Sequence, residues 1–269
     1  MAHYRPAVLH TDDAGARLLV DGVGLEFDEV HTTINALRDE DPGWWALGKL
    51  HTYREQSAPF VHVDSDVFLW KALDPVVASA PVFAQNPEGI EPGRSFYRPD
   101  VLEAAVAGVA GGWLPPEWRW YRASGLAPRA ESCGILGANR LDFVHHYADQ
   151  AIHFVQHPGN QAACARIDKI THTVLIEQFL LAACLEYHGR HDDSPFPDVG
   201  VAYVFESAGQ AFDPARAADA GYTHLIADSK RHPQVAADLE ARVATDYPES
   251  YERCVRYLAR NGPALAGLP

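Results

Sequence analysis

Three features of the sequence predict an α/β fold. The first seventy residues alternate strand, helix, strand, helix, strand, an order that builds a parallel sheet with covering helices. Two later stretches, "LDFVHHYADQAIHFV" and "THTVLIEQFLLAACLEY", read as long helices, and Gly189 stops the second. A hydrophobic content of 47% and a charged content of 22% over 269 residues are ordinary for a chain that buries one substantial core.

The elements are justified in order. "AVLHTD" (7–12) is a short apolar strand, and "DAGARLLVDGVG" (13–24) follows as a helix. That helix ends near Gly22 or Gly24, where glycine suits a left-handed cap. "LEFDEV" (25–30) alternates like a strand. Asp41 as N-cap and Pro42 at the first helical position open a helix that runs to about Gln56. "PFVHVDSD" (59–66) is the third strand. Residues 86–130 are rich in Gly, Pro and Trp and read as loops around one helix, "PDVLEAAVAGVA". "ESCGILGANRLDFVHHYADQAIHFV" gives a short strand, a Gly-bearing turn and a helix from about Leu141. "HDDSPFPDVG" is a loop and "VAYVFES" a strand. Residues 234–269 form a mainly helical tail, broken at Pro248, on one domain that spans 1–269. The tryptophans of "WWALGKL" and "WLPPEWRWY" fit core packing better than sugar stacking.

Bulk properties narrow the function. A formal net charge of -14 disfavours broad nucleic-acid or anionic-membrane binding, because phosphate attraction needs a basic surface. No apolar run is long enough to span a bilayer, and the N-terminus lacks the apolar segment of a signal peptide. A cytoplasmic protein is expected. Cys133, Cys164, Cys184 and Cys254 form no CxxC pair, so neither a disulfide framework nor a cysteine-based structural zinc site is expected. The 14 histidines are scattered, and most read as surface or satisfied core groups.

The chemistry concentrates at "HVDSD". Residues two apart on a strand share a side, so Asp64 and Asp66 converge where an apolar strand ends. Two uncompensated carboxylates in an apolar setting are costly and call for a cation, hydrogen bonds or water. Oxygen donors suit Mg²⁺ or Mn²⁺. The strand's C-terminal end is also where open α/β sheets bind ligands. The plain alternative is a solvated strand end with two capping aspartates.

The segment "WALGKLHTYREQSAPFVHVDSDVFLWKAL" resembles DxD-type glycosyltransferases of the GT-A fold, as in the glycogenin-like and initiating-mannosyltransferase-like families. Their pattern is a helix with a basic residue, here Lys49, before an apolar strand ending in D-x-D, here Asp64 and Asp66. "ESCGILGANRLDFVHHYADQA", with Asn139, is similar to the acceptor-side segment. "THTVLIEQFLLAACLEY" is similar to the helix with an acid–Gln pair, here Glu177-Gln178. "YTHLIADSKR" resembles the segment supplying a metal-binding His and a basic diphosphate contact, here His224 and Lys230. Over residues 7–257 the chain looks most like a bacterial family of glycosyltransferase-like proteins.

The resemblance implies a GT-A-like α/β domain with a mixed, mainly parallel sheet flanked by helices. It also implies a Mn²⁺- or Mg²⁺-dependent transfer from a nucleotide-sugar to an acceptor that is a glycan, peptide or small molecule. The metal would bridge the two phosphates and neutralise charge as the glycosidic bond breaks. Asp64, Asp66 and His224 would be its ligands, with Asp64 on metal or ribose. Lys49 and Lys230 would face the leaving group, Asn139 would line the donor site or simply serve its turn, and Glu177 would orient the acceptor hydroxyl or act as general base.

Each residue also has a plain reading: a solvated Lys49, a backbone-bonded core His224, an exposed Lys230-Arg231 pair, a helix-internal salt bridge for Glu177. GT-A domains open with a strand and loop that grip the nucleotide base, whereas this chain enters at what corresponds to the second strand. Two alternatives stay open: a degenerate transferase fold used for binding, and a haloacid-dehalogenase-like phosphatase with Asp64 as nucleophile. In the latter, the pair is followed by Val67-Phe68 where that family has Gly-Thr.

Overall fold

The computed structural model describes residues 4–91, 93 and 96–265. The chain divides into two compact units, residues 1–38 with 225–269, and residues 39–224.

In the first unit, β1 (Val8–His10) and β2 (Glu29–His31) pair in parallel, with Val8 opposite Glu29. Between them Asp12 caps the helix Asp13–Ala16, its Oδ1 accepting the Gly15 N–H at 2.6 Å. The helix continues as a π-type segment, Arg17–Gly22, and Gly24 follows in the left-handed region (φ 72°). The second strand starts later than its alternation predicts. Leu25 N–H instead bonds the Leu19 carbonyl and closes the helix, so pairing begins only at Glu29. The C-terminal helices Pro233–Asp246 and Pro248–Leu265 belong to this unit and break at Pro248 as expected.

The second unit holds a four-stranded sheet in the order β3-β8-β5-β9: β3 (Phe60–Val63), β5 (Val82–Ala84), β8 (Ile135–Ala138) and β9 (Val201–Tyr203). Two short ribbons accompany it. One joins β4 (Val67–Leu69) to β10 (Tyr222–His224), the other β6 (Pro87–Gly89) to β7 (Arg129–Glu131). The sheet corrects the mainly parallel expectation. β3 pairs antiparallel with β8, β8 antiparallel with β5, and only β5 with β9 runs parallel. β8 returns between β3 and β5, which makes β3 an edge strand of this sheet. The fold is therefore a mixed α/β arrangement.

All of Ile135–Ala138 is buried, as a central strand covered on both faces requires. Gly137 lies within this strand, under the Phe83 ring, and not in a turn. The helix expected from Asp41 begins at Ala46 and runs to Glu55. Asp41 is spent on a turn, accepting the Gly43 N–H at 2.9 Å and the Lys169 ammonium at 2.6 Å. The 86–130 region holds two helices, Pro99–Ala107 and Pro116–Ala123, where one was expected. The helix Leu141–Gln156 buries Phe143, Val144, Tyr147, Ala148, Ala151, Ile152 and Val155, a stripe at helical spacing that faces the core. A continuous helical run is formed by Lys169–Val174, the π-type segment Leu175–Phe179 and Leu180–His188. Trp44 and Trp118 are core residues, as the packing reading expects. No helix among the described residues is long and apolar enough to cross a membrane.

Candidate metal site at the end of the third strand

The strand β3 stops at Val63, one residue before the first carboxylate. Asp64 N–H still bonds the Gly134 carbonyl at 2.9 Å, extending the ladder with the β8 side. The Asp64 carbonyl then accepts the Val67 N–H at 3.0 Å. Asp64-Ser65-Asp66-Val67 is thus a tight turn that leads straight into β4. The two aspartates converge through this turn and not through strand alternation.

β4 also explains how a residue from far along the chain arrives. It pairs antiparallel with β10, and the register sets His224 opposite Val67, beside Asp66. The ligand atoms of Asp64, Asp66 and His224 all lie within 4.8 Å of one another, with His224 Nε2 3.4 Å from Asp66 Oδ1. The other ring nitrogen, Nδ1, is 2.6 Å from Gln85 Oε1, which also accepts the Tyr222 hydroxyl at 2.6 Å. Gln85 is buried in the sheet and its Oε1 can only accept. That bond places a proton on Nδ1, and Nε2 is the ring nitrogen that faces Asp66.

The backbone at Gly134 makes room for this. A Cβ there would lie 2.4 Å from His224 Cε1, 2.5 Å from Nδ1 and 2.8 Å from Gln85 Oε1. Any side chain would force the imidazole, Gln85 or the backbone to move.

Lys49 sits on the helix Ala46–Glu55 and joins the group from below. Its Nζ donates to Asp64 Oδ2 at 2.7 Å and to Glu177 Oε1 at 2.8 Å, with the Cys133 carbonyl at 3.4 Å. It also lies 5.4 Å from the centre of the Trp45 ring. Burial alone would lower the ammonium's pKa, but Glu177 and Asp64 outweigh it and hold the pKa above its ordinary value. Burial pushes the Glu177 carboxyl up, the Asp64 charge adds to that, and Lys49 opposes both. For Asp64, burial works upward, but the hydrogen bond from His62 and the Lys49 charge leave the carboxyl lower than usual. His62 Nε2 is 2.8 Å from Asp64 Oδ1.

Glu177 side chain is 0% exposed. It is reached from the π-type segment Leu175–Phe179, whose wider turn aims it at Lys49, and Gln178 Nε2 lies 3.5 Å from its second oxygen. It therefore neither touches solvent nor stands open to an acceptor.

Lys49, Asp64, Asp66, Glu177 and His224 are thus brought together. Asn139 is not among them. It follows β8 at the end far from Gly134, about 16 Å away at the usual ~3.3 Å rise per strand residue. Its amide donates to the Ala78 and Ala80 carbonyls at 2.9 and 2.7 Å, the turn-serving role. Lys230 stands on the 3-10 turn Ala227–Arg231, in the first unit. Residues that sequence reasoning missed are Gln85, Gly134 and His62. His62 carried a signal, since it alternates onto the Asp64 side of the strand. Gln85 and Gly134 carried none.

With Asp64, Asp66 and Glu177 ionised against Lys49, the group carries two net negative charges. A divalent cation on Asp64, Asp66 and His224 would bring it to neutrality and remove the repulsion that an anionic ligand would otherwise meet. The donors, carboxylate oxygens with one imidazole, suit Mn²⁺ or Mg²⁺.

No curated protein and no solved structure matches the chain. Residues 1–257 match a family described as of unknown function, DUF6734, and the chain belongs to that family.

Proposed function

We propose that the protein is a metal-dependent glycosyltransferase that uses a nucleotide-sugar donor, on a fold of GT-A likeness. The observation that carries this reading is the convergence of Asp64, Asp66 and His224 at a strand end, backed by a buried lysine. Mn²⁺ or Mg²⁺ held there supplies Lewis-acid stabilisation of a departing diphosphate. Asp66 and His224 would serve as its ligands, with Asp64 beside them. Lys49 keeps Asp64 ionised and correctly aimed. Glu177, enclosed and bonded to Lys49, is a positioning residue that acts through the lysine.

Calorimetric titration of Mn²⁺ with UDP or GDP tests this. Nucleotide binding is expected only when metal is present, and Asp66→Ala should abolish it. Absence of metal-dependent binding across UDP- and GDP-linked donors overturns the transferase reading. Binding without transfer or donor hydrolysis leaves a non-catalytic binding protein. Release of phosphate from small esters, lost in Asp64→Asn, identifies a phosphatase instead.

A further inference from the structure

A second cluster lies within the same unit, and nothing in the proposed function uses it. Glu117 comes from the helix Pro116–Ala123, His146 from Leu141–Gln156, and His188 is the last residue of Leu180–His188. His146 Nε2 is 2.7 Å from Glu117 Oε1, and His188 Nε2 is 3.4 Å from the same oxygen. The three ligand atoms lie within 4.8 Å of one another.

We propose that Glu117, His146 and His188 form a zinc site, with a solvent molecule as fourth ligand. Two imidazoles and a carboxylate are a donor set that Zn²⁺ takes with an open position. At Zn–N and Zn–O lengths of about 2.0–2.1 Å, tetrahedral ligand atoms stand roughly 3.4 Å apart. The His188–Glu117 separation of 3.4 Å already matches, and the His146–Glu117 separation of 2.7 Å must open toward it.

A hydrogen-bonded triad alone leaves the cluster unfinished. Glu117 and His188 are 2% and 5% exposed, yet Glu117 Oε2 and His188 Nε2 have no hydrogen-bond partner. Each such atom costs about 1–3 kcal/mol. His188 Nδ1 lies 2.9 Å from Ser194 Oγ, which is itself fixed by the Phe196 N–H at 3.0 Å. Nδ1–H donated to Ser194 would leave the Nε2 lone pair for a metal. That arrangement is poor for a hydrogen bond and right for a metal, and an outer hydrogen bond of this kind commonly orients a ligating imidazole.

The walls fit as well. The Phe196 ring stands 4.9 Å from the His188 ring and 5.1 Å from the His146 ring, and Phe143 closes the far side of His188. Such apolar cover limits water and strengthens the few polar contacts. The His146 side chain, 26% exposed, marks the edge by which ion and solvent enter.

The inference does not rest on the transferase reading, and Co²⁺ distinguishes the two sites. Chelator-treated protein is titrated with Co²⁺ and watched in the visible. The expected result is one equivalent giving the intense bands of tetrahedral cobalt, which Zn²⁺ then bleaches. Oxygen-rich octahedral cobalt at Asp64 and Asp66 gives only weak bands. The bands should persist in Asp66→Ala and vanish in His146→Ala and Glu117→Gln, with Zn²⁺ affinity falling roughly hundredfold. Wild-type protein without intense bands overturns the proposal even if a variant fails to fold. So does a spectrum unchanged in folded His146→Ala.

Discussion

Asp64, Asp66 and His224 gather where a strand ends, and Lys49 lies among them, bonded to Asp64 and Glu177. Glu117, His146 and His188 gather where three helices meet, and the imidazoles themselves are the carboxylate's partners. Both groups take carboxylates out of water, but they compensate them differently. In the first, a fixed cation, Lys49, serves Glu177 and Asp64 beside the Asp66–His224 pair. In the second, burial pushes Glu117 upward, yet the hydrogen bond from His146 and the nearness of His188 bring its carboxyl down to about 2. The same residues that hold the charge there would have to hold the metal. The first site is therefore built to survive without an ion, and the second gains more from having one.

The sharpest way to break this comparison is to remove the fixed cation. Lys49→Met strands Glu177, which is 0% exposed, beside Asp64. Breaking a buried pair from one side costs about 3–5 kcal/mol. Urea unfolding should register that loss, and Lys49→Met with Glu177→Gln together should recover at least half of it. A loss below about 1 kcal/mol would put the pair among surface salt bridges and erase the contrast.

Metal choice gives the next largest effect. Asp66→Ala should lower Mn²⁺ affinity by roughly a hundredfold and spare the Co²⁺ bands, whereas His146→Ala should do the reverse. Loss of both signals in either variant would mean the two groups are not separate sites. Parallel calorimetry and visible spectroscopy on the two proteins decide it.

How far these groups could be read from sequence also differs. "HVDSD" announces a strand end with two carboxylates, and the resemblance to DxD glycosyltransferases points to Lys49, Glu177 and His224. The pairing that unites them was not legible. Lys49 lies 128 residues from Glu177, and only the β4–β10 register brings His224 to Asp66. Strand direction failed for a related reason. A four-residue apolar run such as Ile135–Ala138 reads the same for either orientation, so β8 could be placed as a strand but not as the antiparallel centre of the sheet. The helix Pro116–Ala123 did carry a signal, proline at its first position followed by an acidic residue, hidden in a Gly- and Trp-rich stretch. Glu117, His146 and His188 follow no metal-ligand spacing at all, because three separate helices supply them.

A third test asks how much of the first site depends on space. Gly134→Ala places a methyl 2.4 Å from His224 Cε1, so the ring or the backbone must yield. Overpacking of this kind costs about 1–3 kcal/mol. Stability by thermal or urea unfolding should fall by that amount, and Mn²⁺ binding should weaken with it. The Co²⁺ bands of the helical cluster should stay unchanged, since the atoms nearest to the added methyl belong to His224 and Gln85.

The smallest effect should come from Gln85, which touches no ligand of the ion except through the far side of an imidazole. Its Oε1 accepts from His224 Nδ1 and from the Tyr222 hydroxyl, each at 2.6 Å. Gln85→Met keeps the volume and removes the acceptor. The imidazole then loses its reason to carry the proton on Nδ1, and part of the population presents Nε2–H to Asp66, closed to a metal. Such outer hydrogen bonds are worth about ten- to hundredfold in metal affinity. We expect the low end, roughly tenfold, because Asp64 and Asp66 still attract the cation. The matching change in the other site is Ser194→Ala beside His188, which removes the partner of Nδ1. If the helical cluster depends on its ion more than the strand-end site does, Ser194→Ala should lower Zn²⁺ affinity and also narrow the gap in melting temperature between zinc-loaded and zinc-free protein. Gln85→Met should change Mn²⁺ affinity while leaving the metal-free melting temperature within a few degrees of wild type. A metal-free protein that instead melts far earlier with Gln85→Met would show that the Gln85–Tyr222–His224 bonds are part of the core, and that the strand-end site is as bound to the fold's stability as the helical one.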